Sequence, residues 1–190
     1  PLATEAGQQA FEKGGNAIDA AIAAGLTLGV VDGHNSGIGG GCFMTLRLAD
    51  GRVLALDGRE TAPAAASRDM FLRDGKADPR LSQDGALSVG VPGELALLAY
   101  ATTNFARLPL RHHLEAAARV ADVGFLLDRH YASRLEATRV ELAAFPATRA
   151  IFLRPDGTPW TAGESLRQPD LAASYRSLAA SGVDWFYQGP

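Results

Sequence analysis

The chain has 190 residues, 47% of them apolar, a formal net charge of −3 and one cysteine. That is enough apolar material to bury the core of about one domain, while the mixed scatter of acids and bases offers neither a basic stripe for nucleic acid nor a polybasic membrane anchor. Cys42 has no partner for an intrachain disulfide and reads as a small buried residue, and the longest apolar stretch, Ala17 to Val31, contains Asp19 and is too rich in Ala and Gly to read as a membrane span.

Thr4 to Lys13 favours helix, closed by Gly14-Gly15, since glycine takes the left-handed conformation that a helix end needs. Asn16 is a good N-cap for a second helix, Asp19 suits its positive end, and Ala17, Ala20, Ala21 and Ala24 give a small-residue face for close packing. Leu28 to Val31 is apolar and β-branched and predicts a strand running into the Gly-rich turn; Cys42 to Leu48 and Arg52 to Asp57 predict two more strands, joined at Asp50-Gly51. The polar run Met70 to Asp84, with Asp74-Gly75 and Asp78-Pro79, reads as an exposed excursion.

Beyond it, Leu87 to Val91 is a short apolar run. Pro92-Gly93-Glu94 then opens a helix that continues to about Asn104. Leu110 to Val123 puts Leu114, Ala117, Ala118 and Ala121 on one helical face, with Gly124 as terminator. Asp128 to Ala144 predicts one further helix, and Gln168-Pro169-Asp170 starts a last one that Gly182 ends. With no internal repeat and no low-complexity linker, residues 1–190 read as a single partial α/β domain of the α+β kind, mixed over 1–93 and mostly helical over 94–190.

Three readings meet at Ser36-Gly37-Ile38-Gly39-Gly40-Gly41. A phosphate cradle needs a helix after its glycines, whereas a strand follows here, and Cys42 stands where the third glycine of G-x-G-x-x-G belongs. A nucleophile elbow around Ser36 fails because His34 and Ile38 occupy its glycine positions. What remains is a tight turn where backbone must approach backbone or ligand. In Asp57-Gly58-Arg59-Glu60-Thr61-Ala62-Pro63, Arg59 sits just after a strand, and its planar fork can grip a carboxylate bidentately; an ordinary salt bridge with Glu60 or Asp57 is the competing reading.

His34, His112, His113 and His130 lack a metal-ligand spacing, so no metal is implied. Asp19 and Asp57 read as capping or turn residues, with a catalytic carboxylate pair as the alternative. Thr61 is internal, whereas a self-activating threonine must be a chain N-terminus whose own amine serves as base.

Four signatures in order now carry a resemblance: Pro1-Leu2-Ala3-Thr4-Glu5-Ala6-Gly7, then Gly14-Gly15-Asn16-Ala17-Ile18-Asp19-Ala20-Ala21, then Ser36-Gly37-Ile38-Gly39-Gly40-Gly41, then Asp57-Gly58-Arg59-Glu60-Thr61-Ala62-Pro63. With Val89-Gly90-Val91-Pro92-Gly93, Gln168-Pro169-Asp170-Leu171 and Phe186-Tyr187-Gln188-Gly189, the chain resembles the N-terminal part of the gamma-glutamyltranspeptidase large subunit over nearly its whole length. Asp32-Gly33 stands where that family commonly has Glu-Pro, which loosens the entry to the glycine turn.

The resemblance implies an N-terminal-nucleophile hydrolase, an αββα sandwich that is incomplete in this chain, made as a precursor that cuts itself into two subunits. It implies a threonine nucleophile beyond Pro190, a missing small subunit as partner, a gamma-glutamyl compound such as glutathione as donor, and no cofactor or metal. A related acylase or a non-catalytic relative stands as the alternative. Arg59 matches the arginine that binds the α-carboxylate of the glutamyl group, with Asp57, Gly58, Glu60, Thr61, Ser36, Gly39, Gly40 and Gly41 as supporting loop. Family analogy places bacterial members in the periplasm or outside the cell.

Overall fold

A computed structural model describes residues 1–189. The chain divides into two compact units, Ile38–Leu97 and the remainder, Pro1–Gly37 with the stretch from Leu98 onward.

The remainder is a helical assembly. Helix α1 (Leu2–Glu12) ends at Lys13; Gly14 then turns left-handed with φ of 86° and donates to Phe11 O. Helix α2 (Ala17–Val31) starts with a reciprocal cap, in which Asn16 Oδ1 accepts from the N–H groups of Ile18 and Asp19 while Asp19 Oδ2 accepts from Asn16 N–H. The stretch Leu28 to Val31, expected as a strand, is the last turn of α2. A short apolar run cannot separate buried strand from buried helix, and Ile22, Leu26 and Val30 bury together with α5 (Leu110–Val123) and α9 (Pro169–Ser181). Two long-range bonds hold α9 to α2: Tyr175 Oη donates to Leu26 O at 3.1 Å, and Gln168 Nε2 donates to Val30 O at 2.7 Å.

The predicted apolar face of α5 is the buried one: Leu114, Ala117, Ala118 and Ala121 are at most 1% exposed. Asp128 to Ala144 is not one helix but two, α6 (Arg129–Ala137) and α7 (Arg139–Ala143), separated at Thr138, whose hydroxyl bonds back to Arg134 O. Helix α8 (Pro146–Phe152) follows, and β5 (Phe125–Leu126) pairs antiparallel with β6 (Ser165–Leu166). The described chain closes with α10 (Asp184–Gln188). No helix among the described residues is long and apolar enough to cross a membrane.

The unit Ile38–Leu97 is built on an antiparallel ribbon, β1 (Cys42–Arg47) with β2 (Val53–Gly58), closed at Asp50-Gly51. Its register puts Cys42 opposite Gly58 and Leu46 opposite Leu54. A second hairpin, β3 (Leu72–Arg73) with β4 (Lys76–Ala77), and the short α3 (Pro79–Gln83) form the exposed excursion. Leu87 to Val91 is not a continuous strand: a 3₁₀ turn covers Ala86–Ser88, and Val91 makes an isolated bridge to Thr61. Helix α4 (Glu94–Phe105) then begins. On the ribbon Phe43 is 68% and Val53 64% exposed, and a two-stranded ribbon leaves both edges open to pairing. Expressed alone, this chain is expected to self-associate; light scattering coupled to size exclusion checks it, and a clean monomer with a sharp thermal transition would refute it.

Candidate functional site

Within Ile38–Leu97, Arg59 is the first residue past the β1–β2 ladder. Its side chain is 60% exposed, and its Nε lies 3.4 Å from Glu60 Oε2. The backbone beneath it is tied at both ends. Arg59 N–H donates to Asp57 Oδ1 at 2.9 Å, and two residues later Thr61 and Val91 exchange backbone bonds, Thr61 N–H to Val91 O at 3.1 Å and Val91 N–H to Thr61 O at 2.8 Å. A long, entropically costly side chain thus stands on an anchored stem with its fork presented to solvent.

Between those ties the chain is pinched. A Cβ on Gly41 would meet Gly58 O at 2.6 Å and Arg59 Cα at 2.9 Å; one on Gly58 would meet Leu97 Cβ at 2.7 Å. Gly40 contributes its carbonyl, which accepts from Gly93 N–H at 3.0 Å and Glu94 N–H at 3.2 Å. The Gly-rich segment is therefore a place where backbone packs on backbone, the reading that survived elimination in the sequence. Gly39 has open space around it, and Ser36 belongs to the other unit, where its N–H caps Asp32 O. Of the supporting residues, the structure brings Asp57, Gly58, Glu60, Thr61, Gly40 and Gly41 around Arg59.

Sequence reasoning missed Val91 and Gly93 as part of this arrangement, reading their segment as the approach to a helix and as one of the stretches that carry the resemblance.

Glu60 Oε2 is a buried oxygen without a hydrogen-bond partner, set against Gly41 and within reach of Arg59 Nε. Cys42, expected to be buried, is half-buried; burial, with the carboxylates of Glu94 and Glu60 adding to it, pushes its thiol up to about 11. A thiol held so far up is protonated at neutral pH and is no nucleophile.

In the other unit Asp19 is fully buried and saturated. Its Oδ2 accepts from Asn16 and Arg107 N–H at 2.8 and 2.9 Å, and its Oδ1 from Leu108 N–H at 2.9 Å and His113 Nε2 at 3.1 Å. Burial alone would raise the carboxyl pKa, but the three backbone N–H groups and His113 outweigh it, and the net shift is downward. Burial likewise lowers His113 against the opposing pull of Asp19, so an ionised carboxylate faces a neutral imidazole that donates from Nε2. Asp19 thus extends its capping role to a structural hub, and Asp57 is a turn acceptor. His34 packs its ring on His130 and Tyr131, with Nε2 3.2 Å from Asp32 Oδ1. No cluster of three or more His, Cys, Asp or Glu among the described residues could hold a metal ion.

Comparison with known proteins places the chain in a family. The chain is 39% identical over 189 residues to a glutathione hydrolase proenzyme of Pseudomonas sp. (strain A14), covering 99% of this chain and 33% of that protein. It is 38% identical over 196 residues to the acylase ACY 1 proenzyme of Pseudomonas sp. (strain V22), covering 100% of this chain and 35% of that protein. Among solved structures, gamma-glutamyltranspeptidase of Helicobacter pylori superposes with a TM-score of 0.95 at 36% identity, over 100% of this chain and 54% of that one. The chain thus spans about a third of the length of these curated relatives, and its helices and small sheets form part of an N-terminal-nucleophile hydrolase fold. The family model described as gamma-glutamyltranspeptidase matches residues 3–190, and the chain belongs to that family.

Proposed function

We propose that this chain is the N-terminal part of a gamma-glutamyltransferase or glutathione hydrolase, in which Arg59 binds the α-carboxylate of the glutamyl donor. The observation that carries this reading is the presentation of Arg59: an exposed guanidinium on a stem fixed by Asp57 and by the Thr61–Val91 bridge. A guanidinium on so fixed a backbone can give a carboxylate two parallel N–H bonds, with only the side-chain rotamers left to order.

The chemistry is acyl transfer. The hydroxyl of an N-terminal threonine, contributed by the missing small subunit, adds to the γ-carbonyl while its own α-amine takes the proton. The amine of the donor's remainder leaves with a proton, an ester remains on the threonine, and water or an acceptor amine opens that ester. Arg59 takes no part in the bond changes; it sets where the γ-carbonyl lies by holding the other end of the glutamyl group.

The test is to express the complete reading frame. Two bands from one precursor on a denaturing gel, with threonine at the new N-terminus and release of anilide from a gamma-glutamyl anilide, are expected. A single uncut band without activity would overturn the proposal and leave a non-catalytic relative. The acylase resemblance, at nearly the same identity, supports a second reading: a processed enzyme that hydrolyses other acyl amides faster than gamma-glutamyl anilide.

A further inference from the structure

We propose that Gly93 is a positioning residue for Arg59: its backbone, together with that of Gly41, walls a slot that holds the Gly58–Arg59 peptide and so sets where the guanidinium is presented. This deepens, and rests on, the reading of Arg59 as the carboxylate-binding residue.

A Cβ added to Gly93 would lie 2.6 Å from Arg59 O and closer still to Gly58 O. One added to Gly41, on the other wall, would meet Gly58 O at 2.6 Å and Arg59 Cα at 2.9 Å. What the Gly93 Cβ would strike is main chain alone, so no side chain can swing aside, whereas the Gly41 Cβ would also meet Glu60 Oε2 at 2.6 Å. The two walls are fastened to each other by the bonds from Gly93 and Glu94 N–H to Gly40 O. Leu97, 4% exposed and one turn into α4, backs the slot with its Cβ and Cδ1 against the position a Gly58 Cβ would take.

The backbone conformation separates this from turn chemistry. Gly14, Gly51, Gly75 and Gly85 have φ between 74° and 88°, where glycine is needed for its freedom. Gly41, Gly58 and Gly93 are absent from the positive-φ residues. Alanine at position 93 is conformationally permitted, and what opposes it is the peptide that carries Arg59. The added methyl has to push that peptide, which displaces the guanidinium stem by a sizeable fraction of an ångström. Misplacement on that scale is enough to spoil a bidentate grip.

The experiment uses the complete, processed protein and two anilide donors, gamma-glutamyl and 4-aminobutyryl, which is the same group without its α-carboxylate. For Gly93→Ala the preference for the gamma-glutamyl donor in kcat/KM is expected to fall about tenfold or more, through KM, with the 4-aminobutyryl rate and the extent of self-cleavage unchanged. A general packing defect would lower both donors alike and overturn the proposal, as would an unchanged preference. Should the Gly93→Ala precursor not accumulate, Leu97→Val, which slackens the wall behind Gly58, is read in the same way with a smaller drop; no drop there overturns it. Arg59→Lys keeps the two readings apart. If that variant retains the preference, the role of Arg59 itself has failed; if it loses the preference and Gly93→Ala does not, only the positioning role has failed.

Discussion

Arg59→Lys in the processed enzyme is expected to raise the donor KM by about 30- to 100-fold, with kcat at saturating donor changed far less. Charge is conserved, so the loss measures the fork: a lysine ammonium is a single point donor and cannot make two parallel bonds to one carboxylate. A hydrogen bond to a charged group is worth about 1.5–3 kcal/mol, which is roughly one to two decades in affinity. Because the α-carboxylate lies away from the bonds that change, its grip acts in ground state and transition state alike, and the effect falls on KM. Steady-state kinetics with gamma-glutamyl anilide checks this, and an unchanged KM removes Arg59 from the site. Binding of a donor analogue should weaken by the same factor, since no chemistry intervenes.

The second large effect is on stability. Asp19→Asn is expected to cost roughly 3 kcal/mol and to lower the thermal midpoint by several degrees, because an amide can turn only one oxygen toward these donors and, even with the His113 tautomer switched to accept, must set its NH₂ against the Leu108 N–H. The same hub sets the response to acid. Both folded-state pKa values are lowered, Asp19 from an ordinary 3.8 and His113 from 6.5. For each, the unfolded chain binds the proton more readily, so stability rises with pH through the interval between folded and unfolded values. His113, pressed down by burial and in lesser degree by the Lys13 charge, begins to lose its contribution as pH falls below about 6.5, and Asp19 begins to lose its own below about 3.8, each loss running down to the lowered folded value. Thermal scans from pH 8 to 2.5 should therefore show the midpoint beginning to fall near 6.5 and falling further below 4. In His113→Gln the first decline should shrink to the part that His112, whose pKa burial and the Lys13 charge also lower, contributes. A pH-independent midpoint between 7 and 5 in the parent would refute the assignment.

What the sequence revealed of the fold was what local chemistry decides. Gly14 and Asn16 mark the α1–α2 junction because helix ends must satisfy their own N–H and C=O groups with nearby residues. The α5 face was legible because one helical period carries it. Leu28 to Val31 was misread because an apolar, β-branched run has no period to betray its state when both sides are buried, and the break at Thr138 because nothing in composition marks it. The same division runs through the site. Arg59 and Asp57 declare themselves within seven residues, but the partners that fix them, Val91 and Gly93, lie more than thirty residues away and carry no pattern that points back. Asp19 was read correctly as a cap, yet its bonds to Arg107, Leu108 and His113 were invisible for the same reason.

Those bonds have a bearing on how the chain tolerates change. Asp19 joins two stretches that the segment Ile38–Leu97 separates in sequence, so in the language of polymer loops it closes the ring from which that segment is hung. The entropy of closing a flexible ring grows only with the logarithm of its length, and doubling one costs about 0.6 kcal/mol. The exposed stretch from Met70 to Asp84 could therefore be lengthened or trimmed with almost no charge to the helical assembly. Variation there leaves the α2–α5–α9 core as it is.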